Sequence, residues 1–264
     1  MAIWFITGVG RGLGRCLAER ALEAGHTVVG TTRDGVCDLP GLHVLPLSVD
    51  DPTAARPTVE RAVELAGGLD VLVNSAGYGL LGPVEETTDE QAAQLFEVNF
   101  FGPLRLTRAA LPHLRRSRGH LVNITSIAAL DPLPGSAIYA AAKAAVSALS
   151  EAVAREVEPF GVGTTIVGLG SFRTGFLSER SVRHTTPRLD VYATGDDHFA
   201  GLSGRQPGDP DRAAELIVQA VDSGAAPLHL VVGEDAVRRT RSRIDALLGD
   251  VAAWESRSVA TAHT

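Results

Sequence analysis

The sequence has 264 residues, of which 45% are hydrophobic, and its 24 basic and 31 acidic side chains give a formal net charge of −7. This length is enough for one large domain with a sizeable buried core. The basic residues are scattered rather than clustered, which argues against nucleic acid or an anionic membrane surface as a partner. We expect a single domain over residues 1–250 and a polar C-terminal tail over 251–264.

The cysteines and the apolar runs indicate the compartment. Cys16 and Cys37 are too few for a disulfide framework, and they lack the spacing of metal ligands. The first residues lead straight into an apolar stretch, and no apolar run approaches the roughly 20 residues of a membrane span. We therefore expect a cytoplasmic protein with neither a membrane partner nor a metal.

The start of the chain predicts a strand, a glycine turn and a helix. Residues 2–7 form a short apolar run, and residues 15–24 carry apolar side chains at helical spacing. Between them stand Gly8, Gly12 and Gly14, with Gly10 as an additional glycine. Glycines let a backbone approach a diphosphate, whose charge the free N–H groups of a helix N-terminus receive. A plain tight turn is the alternative, but the position at a first strand–helix junction favours a dinucleotide site.

The end of the second predicted strand, residues 26–32, bears on cofactor choice. An acidic residue there holds the ribose hydroxyls of NAD(H), whereas a 2′-phosphate needs cationic partners. The chain has Thr32 followed by Arg33, and Arg11 lies inside the glycine turn. Two arginines able to converge on a phosphate favour NADP(H). NAD(H) remains the alternative because of Asp34. A shift of one residue at the strand end would present the Asp34 carboxylate to the ribose in place of Arg33.

The next elements alternate in the same way. Strands are predicted at 42–49 and 69–74, with a helix at 52–66 that Asp50 or Asp51 caps. A long helix is predicted over 89–116, and Asn99 lies in its apolar part. A buried asparagine must be hydrogen-bonded, so Asn99 either braces the helix or holds water near a site.

The most informative stretch is residues 121–157. An apolar strand over 121–124 delivers Ser126 at its carboxyl end, where open α/β sheets bind ligands. Tyr139 and Lys143 are four residues apart on a predicted helix and therefore share a face. An ammonium at ~4 Å is worth about 4 kcal/mol at an effective dielectric of ~20, so we expect the phenol pKa to fall toward neutrality. Taken alone, such a pair is more often packing plus a solvated charge than a catalytic site.

The last third predicts two strands, two helices and a long segment without apolar periodicity. The strands are predicted at residues 163–168 and 228–232. The helices are predicted at residues 210–220 and 235–248, and Asp209 is the N-cap of the first of them. The segment 171–207 has the length of a lid or a disordered insert. It contains His184, Asp196, Asp197 and His198, whose spacing matches no metal site.

With these residues assembled, the chain resembles the single-domain short-chain dehydrogenase/reductases of the Tyr-x-x-x-Lys branch, from residue 2 to about residue 254. The shared motifs, in order, are Thr7-Gly8-Val9-Gly10-Arg11-Gly12-Leu13-Gly14, Asn74-Ser75-Ala76-Gly77, Asn99, Ser126 and Tyr139-Ala140-Ala141-Ala142-Lys143. The resemblance implies a Rossmann-type α/β fold, a doubly wound parallel sheet of about seven strands in a single domain. It also implies a nicotinamide cofactor and hydride transfer between a carbonyl and an alcohol.

The resemblance also assigns roles to residues. Tyr139 exchanges a proton with the substrate oxygen, Ser126 hydrogen-bonds that oxygen, and Lys143 lowers the phenol pKa while holding the nicotinamide ribose. Asn99 supports a water relay to Lys143, and Thr174 fixes the nicotinamide carboxamide. The residues expected to bind the cofactor are Gly8, Gly10, Arg11, Gly12, Leu13, Thr32, Arg33, Ser48, Val49, Asn74, Ala76, Gly77, Tyr139, Lys143, Phe172 and Thr174.

Two positions depart from the family pattern. Ser48 stands where many relatives have an aspartate facing the adenine, so this contact is weaker or made differently. Leu169-Gly170-Ser171 replaces the usual Pro-Gly pair, which leaves the entry to the substrate segment less rigid.

The sequence therefore predicts a reductase or dehydrogenase acting with NADP(H) on a small, hydrophobic carbonyl or secondary alcohol. Ile127, Leu130 and Leu133 are expected to wall its apolar pocket. A non-catalytic nucleotide sensor or scaffold on the same fold is the alternative, although its mark would be a broken Tyr/Lys pair. Small residues on the helices around Asn99 and after Tyr139 favour a homodimer or homotetramer.

Overall fold

The computed structural model describes residues 1–192, 199 and 201–262. Within them, seven parallel strands form one sheet in the order β3-β2-β1-β4-β6-β7-β9. Its strands are β1 Ile3–Thr7, β2 Thr27–Thr32, β3 His43–Pro46, β4 Val71–Asn74, β6 His120–Ser126, β7 Gly163–Leu169 and β9 His229–Val232. The predicted seven-stranded, Rossmann-type α/β sheet is confirmed.

Helices cover both faces of this sheet. The helices are α1 Gly12–Glu23, α2 Ala55–Ala66, α3 Asp89–Phe96, α4 Gly102–Ser117, α5 Ala137–Val157, α6 Pro210–Asp222 and α7 Glu234–Val259. Side chains alternate along the strands, so Trp4 and Ile6 pack against α1 and α6, whereas Phe5 packs against α2, α4 and α5. Strands buried on both faces read as continuous apolar runs, which is why the sequence revealed them.

The strand order opens a crevice at one end of the sheet. β1 pairs with β2 on one side and with β4 on the other. The chain therefore leaves β1 and β4 toward opposite faces, and a crevice opens at their carboxyl ends. The glycine turn after β1 and the residues after β4 and β6 all lie at this end of the sheet.

Several predicted boundaries were wrong. α2 begins at Ala55 without a side-chain cap, because Asp51 instead accepts hydrogen bonds from Thr53 and closes a turn before the helix. The predicted long helix 89–116 contains a π-helical turn over Glu97–Phe101. Asp209 does cap α6, as expected. The predicted tail is also corrected, since α7 continues to Val259.

Among the described residues, one helix, Ala137–Phe160, is long and apolar enough to cross a membrane by length and composition. It contains α5, which packs Val153 and Val157 onto the sheet and buries Lys143. The core helix of a globular α/β domain has the same composition.

The segment 171–207 has structure that its sequence did not reveal. Val182–His184 forms β8, which pairs in parallel with β5, Gly79–Leu81, in a second, two-stranded sheet. Glu86 is 3% exposed and accepts hydrogen bonds from the Thr185 hydroxyl at 3.0 Å and the Leu189 N–H at 2.8 Å. The segment is therefore tethered to the body from β8 to Leu189. Asp196, Asp197 and His198 lie outside the described residues.

Glu86→Ala tests this tether. Loss of the carboxylate leaves the buried Thr185 hydroxyl and the part-buried Leu189 N–H without an acceptor, and we expect unfolding to require about 3 kcal/mol less free energy. Limited proteolysis should also cut within 182–192 faster. Chemical denaturation and a protease time course give the two readouts. Glu85→Ala is the matched control, because Glu85 is exposed and accepts from the exposed Tyr192 hydroxyl; equal effects of the two changes would contradict the tether.

Candidate active site

A cavity of about 950 Å³ lies at the carboxyl ends of the strands. It runs from the end of β2, past the glycine turn and β6, to the segment that carries β8. The predicted site residues in its wall are Gly8, Gly10, Arg11, Gly12, Leu13, Thr32, Arg33, Ser48, Val49, Ala76, Gly77, Ser126, Tyr139, Lys143, Phe172 and Thr174. Residues spread over 167 positions of sequence thus meet in one space, as the motifs suggested.

The glycine turn forms a cradle that side chains would fill. Gly8 has φ +79°, and a Cβ there would lie 3.0 Å from the Ala76 Cα. A Cβ at Gly14 would lie 2.4 Å from the Gly8 carbonyl oxygen. The turn therefore packs directly on the residues after β4 and leaves the N-terminus of α1 at the cavity wall. Backbone N–H groups at a helix N-terminus suit a diphosphate, so these residues fit a dinucleotide.

Ser126, Tyr139 and Lys143 meet at the inner end of the cavity. Ser126 is the last residue of β6, and Tyr139 and Lys143 lie in the first two turns of α5. The Ser126 Oγ accepts from the Ala128 N–H at 3.1 Å, and its hydroxyl is near enough to Tyr139 to lower the pKa of the phenol. The Lys143 Nζ donates to the Ile124 carbonyl at 2.9 Å and lies 6.0 Å from the centre of the Tyr139 ring. The predicted shared face is confirmed.

The titration of this group differs from the expectation. Burial raises the pKa of Tyr139 to about 12, and the nearby Ser126 hydroxyl offsets only part of that rise. Burial also lowers the pKa of Lys143 to about 8. The predicted fall of the phenol pKa was therefore wrong for the protein alone, because loss of solvent outweighs an ammonium that is directed at Ile124. At neutral pH Tyr139 holds its proton and Lys143 is charged.

Asn99 lies in the π-helical turn, outside the cavity wall. Its Nδ2 donates to the Tyr78 carbonyl at 2.8 Å, and its Oδ1 accepts from the Tyr78 N–H at 3.1 Å. It thus braces the loop after β4 rather than its own helix. Asn99 is also near the lysine, because both side chains approach Gly77. A Cβ added at Gly77 would lie 3.0 Å from Asn99 Oδ1 and 3.7 Å from Lys143 Nζ. The water relay stays a prediction.

Two expected cofactor residues are placed differently. Asn74 is 4% exposed, and its Nδ2 donates to Asn123 Oδ1 at 2.8 Å inside the sheet. Its side chain is therefore part of the interior rather than the cavity wall. Phe172 does line the cavity, and its ring packs in the space that side chains at Gly208 and Gly233 would fill.

At the far end of the cavity, the charged groups are only partly as expected. Arg11 does not stand free beside Arg33, because its Nη2 donates to the Arg180 carbonyl at 2.6 Å. Asp34 accepts at one oxygen from the Thr32 hydroxyl at 2.9 Å and from the Val36 N–H at 3.2 Å, and these bonds lower its pKa. Ser48 donates to Asp50, which places a carboxylate beside the position that relatives fill with aspartate.

Sequence reasoning missed three residues that close the cavity. The Phe176 ring packs on Tyr139 with ring centres 5.7 Å apart, and the Arg183 guanidinium lies 4.7 Å from the centre of the Tyr78 ring. Phe176 and Arg183 come from the segment 171–207, and Tyr78 comes from the loop after β4. Neither stretch has a local pattern that marks such contacts.

Of the described residues, Cys16, Glu19 and Asp211 have possible metal-ligand atoms within 4.8 Å of one another. Glu19 is ion-paired with Arg15 at 2.9 Å, and burial raises the pKa of Cys16 to about 12. A protonated thiol and a paired carboxylate are poor ligands.

The sequence model of the short chain dehydrogenase family matches residues 2–184 of this chain. The chain belongs to the short-chain dehydrogenase family. A 3-ketodihydrosphingosine reductase from Bacteroides thetaiotaomicron is 36% identical over 192 residues, which are 72% of this chain and 71% of the relative.

Solved structures of short-chain dehydrogenases have the same fold. One from Streptomyces avermitilis is 37% identical, with a TM-score of 0.92 over 99% of this chain and 100% of that one. A short chain dehydrogenase/reductase from Burkholderia phymatum, solved in complex with NAD, is 22% identical, with a TM-score of 0.83 over 94% and 95% of the two chains. The protein is thus an NAD(P)-dependent dehydrogenase or reductase.

The buried ammonium predicts how stability depends on pH. Lys143 titrates near pH 8 in the folded protein and near 10.5 when unfolded. Below pH 8 both states are protonated, and the folded state bears the full cost of a buried charge. Between pH 8 and 10.5 the folded state loses its proton first, so stability rises there. Denaturation of wild type and Lys143→Met at several pH values should show wild type gaining about 3 kcal/mol on the variant across this window. A constant difference between the two proteins would contradict the buried charge.

Proposed function

We propose that this short-chain dehydrogenase is a carbonyl reductase that uses NADP(H) and acts on a ketone or secondary alcohol with an apolar body. The observation that supports the reaction is the placement of Tyr139 near Ser126 and Lys143, in the cavity that the glycine cradle also borders. The intact pair of Tyr139 and Lys143 and family membership disfavour the alternative of a non-catalytic sensor.

The chain's own residues handle the proton and the substrate oxygen. Tyr139 holds its proton at neutral pH and can give it to a developing alkoxide, and Ser126 offers a second donor to the same oxygen. Lys143, charged below about pH 8, stabilises negative charge on the phenol oxygen as the proton leaves. A bound nicotinamide would supply the hydride, and Thr174 beside the glycine turn and Lys143 are the residues to hold it.

The preference for NADP(H) rests on the end of β2. Arg33 lines the cavity, and no ion pair of its side chain occurs among the described residues. One of the two carboxylate oxygens of Asp34 already accepts hydrogen bonds from Thr32 and Val36 in its own loop. A guanidinium beside a partly occupied carboxylate suits a 2′-phosphate better than two ribose hydroxyls. NAD(H) is the alternative that the next test distinguishes.

The substrate walls are mostly apolar. Ile127, Leu133 and Phe176 line the cavity near Tyr139, whereas Leu130 is 42% exposed and lies outside the wall, contrary to expectation. The 3-ketodihydrosphingosine reductase among the relatives acts, by its name, on a keto group. A ketone carrying a hydrocarbon chain or ring fits this combination.

We also propose a homodimer or homotetramer that works in the cytoplasm. Short-chain dehydrogenases commonly form oligomers, and α5 exposes small residues such as Ala141 and Ala148. Cys16 and Cys37 are free thiols, which suits a reducing compartment.

Tyr139→Phe tests the proton donor. Without the hydroxyl, kcat for ketone reduction should fall about a thousandfold, while the Kd for NADPH changes little. Steady-state assays against a panel of ketones measure kcat, and a fluorescence titration with NADPH measures the Kd. Tyr78→Phe is the control, because Tyr78 lines the same cavity. A Tyr139→Phe enzyme with wild-type kcat would defeat the assignment.

Arg33→Ala tests the cofactor preference. Removing a charged donor to phosphate should raise the Kd for NADPH by roughly 10–100-fold and leave that for NADH nearly unchanged. Arg56→Ala, an exposed arginine on α2, controls for the change in net charge. Equal weakening of both cofactors, or of neither, would refute the proposed 2′-phosphate contact.

A further inference from the structure

One glutamine in the cavity wall has a side-chain amide that the protein leaves partly unsatisfied. Gln206 is 3% exposed and lines the cavity. Its Oε1 is buried and accepts no hydrogen bond within the part of the chain that the structure describes. Six other buried side-chain atoms lack a partner there, but none of them belongs to a residue of the cavity wall. A buried carbonyl oxygen without a donor costs free energy, so its presence at a binding cavity points to a ligand that supplies the donor.

Two hydrogen bonds hold the backbone of this glutamine beside the stretch that ends at Phe176. The Arg173 N–H donates to the Gly208 carbonyl at 3.0 Å, and the Arg173 Nη2 donates to the Gln206 backbone carbonyl at 3.2 Å. The Phe176 ring in turn packs on Tyr139. The amide of Gln206 therefore belongs to the part of the wall that continues to the proposed proton donor.

The surroundings of the amide favour the substrate over the cofactor as that ligand. Phe199 and Leu202, which shortly precede Gln206, also line the cavity, so this part of the segment contributes mostly apolar wall. The nicotinamide carboxamide already has a candidate partner in Thr174, which lies beside the glycine turn. A single polar group in an apolar wall is the arrangement that fixes the orientation of a bound small molecule and selects among similar ones.

We propose that Gln206 determines substrate specificity, because its side-chain carbonyl accepts a hydrogen bond from a hydroxyl group on the ketone. This inference rests on the proposed carbonyl reductase and names its substrate class, a hydroxyketone with an apolar body. The charge beside Gln206 selects the kind of donor. The Arg173 guanidinium lies 3.2 Å from the backbone carbonyl of the same residue and repels an ammonium group. A neutral hydroxyl supplies the donor without that repulsion.

The first experiment compares straight-chain ketones of equal length that are unsubstituted or carry a hydroxyl or an amino group at successive carbons. Reduction is assayed with saturating NADPH and with saturating NADH. For wild type, kcat/KM for the preferred hydroxyketone should exceed that for the unsubstituted ketone roughly 100-fold, because the latter leaves the Gln206 oxygen unpaired. No aminoketone should show this gain. Gln206→Met, which replaces the amide by an apolar side chain of similar volume, should abolish the preference.

The outcomes of this assay separate the two proposals. A wild type that reduces hydroxylated and unsubstituted ketones equally well would overturn the role of Gln206 and leave the carbonyl reductase intact. The same holds for a preference that survives in Gln206→Met. A wild type that reduces none of the ketones with either cofactor would overturn both proposals.

The second experiment measures thermal unfolding without substrate. Gln206→Met should raise Tm by roughly 2–4 °C, because it removes a buried polar atom that has no partner. Gln94→Met is the matched control, since Gln94 lines the same cavity but its Nε2 donates to Asp50 at 2.9 Å. This control should lower Tm and keep the preference for the hydroxyketone. A lower Tm for Gln206→Met would show that the amide stabilises the fold, and it would overturn the proposal.

A titration with NADPH distinguishes the substrate from the cofactor as the partner of Gln206. The Kd for NADPH should be the same in wild type and Gln206→Met. A weaker affinity in the variant would assign the amide to the nicotinamide carboxamide and overturn its role in substrate choice.

Discussion

The active site depends on one buried contact, the hydrogen bond from the Lys143 ammonium to the Ile124 carbonyl. It joins helix α5 to the end of strand β6. Because Tyr139 is one turn before Lys143 on the same face, fixing the lysine also fixes the phenol beside Ser126, at the end of that strand. This contact takes the charged ammonium out of water. That loss of hydration disfavours the charged form and lowers the pKa of Lys143. A protein that needed only a stable helix would place an apolar residue there.

The same burial favours the reductive direction of the proposed reaction. A phenol with a pKa near 12 keeps its proton throughout the physiological range, so the protein alone presents a donor rather than a base. Carbonyl reduction requires a donor at the substrate oxygen. In the proposed reaction, the charged lysine nearby favours loss of the proton only as negative charge develops on the phenol, which is when such help accelerates a reaction. The apolar walls and the packed Phe176 ring strengthen both effects by keeping water away.

Much of this was readable from the sequence because it is local or periodic. The glycine turn, the strands buried on both faces and the four-residue spacing of Tyr139 and Lys143 each follow from short-range rules. Asp209 as a helix cap was readable for the same reason. The pairing of β5 with β8 joins residues about 100 positions apart, and three-residue strands leave no periodic signal.

Other features required knowledge of burial. The spacing of Tyr139 and Lys143 predicts that they are neighbours, but the sign of the phenol's pKa shift depends on how much solvent the fold removes. Asn74 belongs to a family motif, yet only the packing of β4 against β6 shows that its amide is turned into the sheet toward Asn123. Likewise, Arg11 is in a position to reach a phosphate, and only the folded substrate segment brings the Arg180 carbonyl to it.

The most direct measurement of the central claim is a crystal structure of the protein with NADP⁺ and a non-reducible analogue of a hydrophobic ketone. We expect the diphosphate over Gly8 to Gly14 and the analogue's oxygen within hydrogen-bond distance of both Tyr139 and Ser126. An analogue oxygen bound away from Tyr139, or a cofactor that leaves the glycine cradle empty, would contradict it.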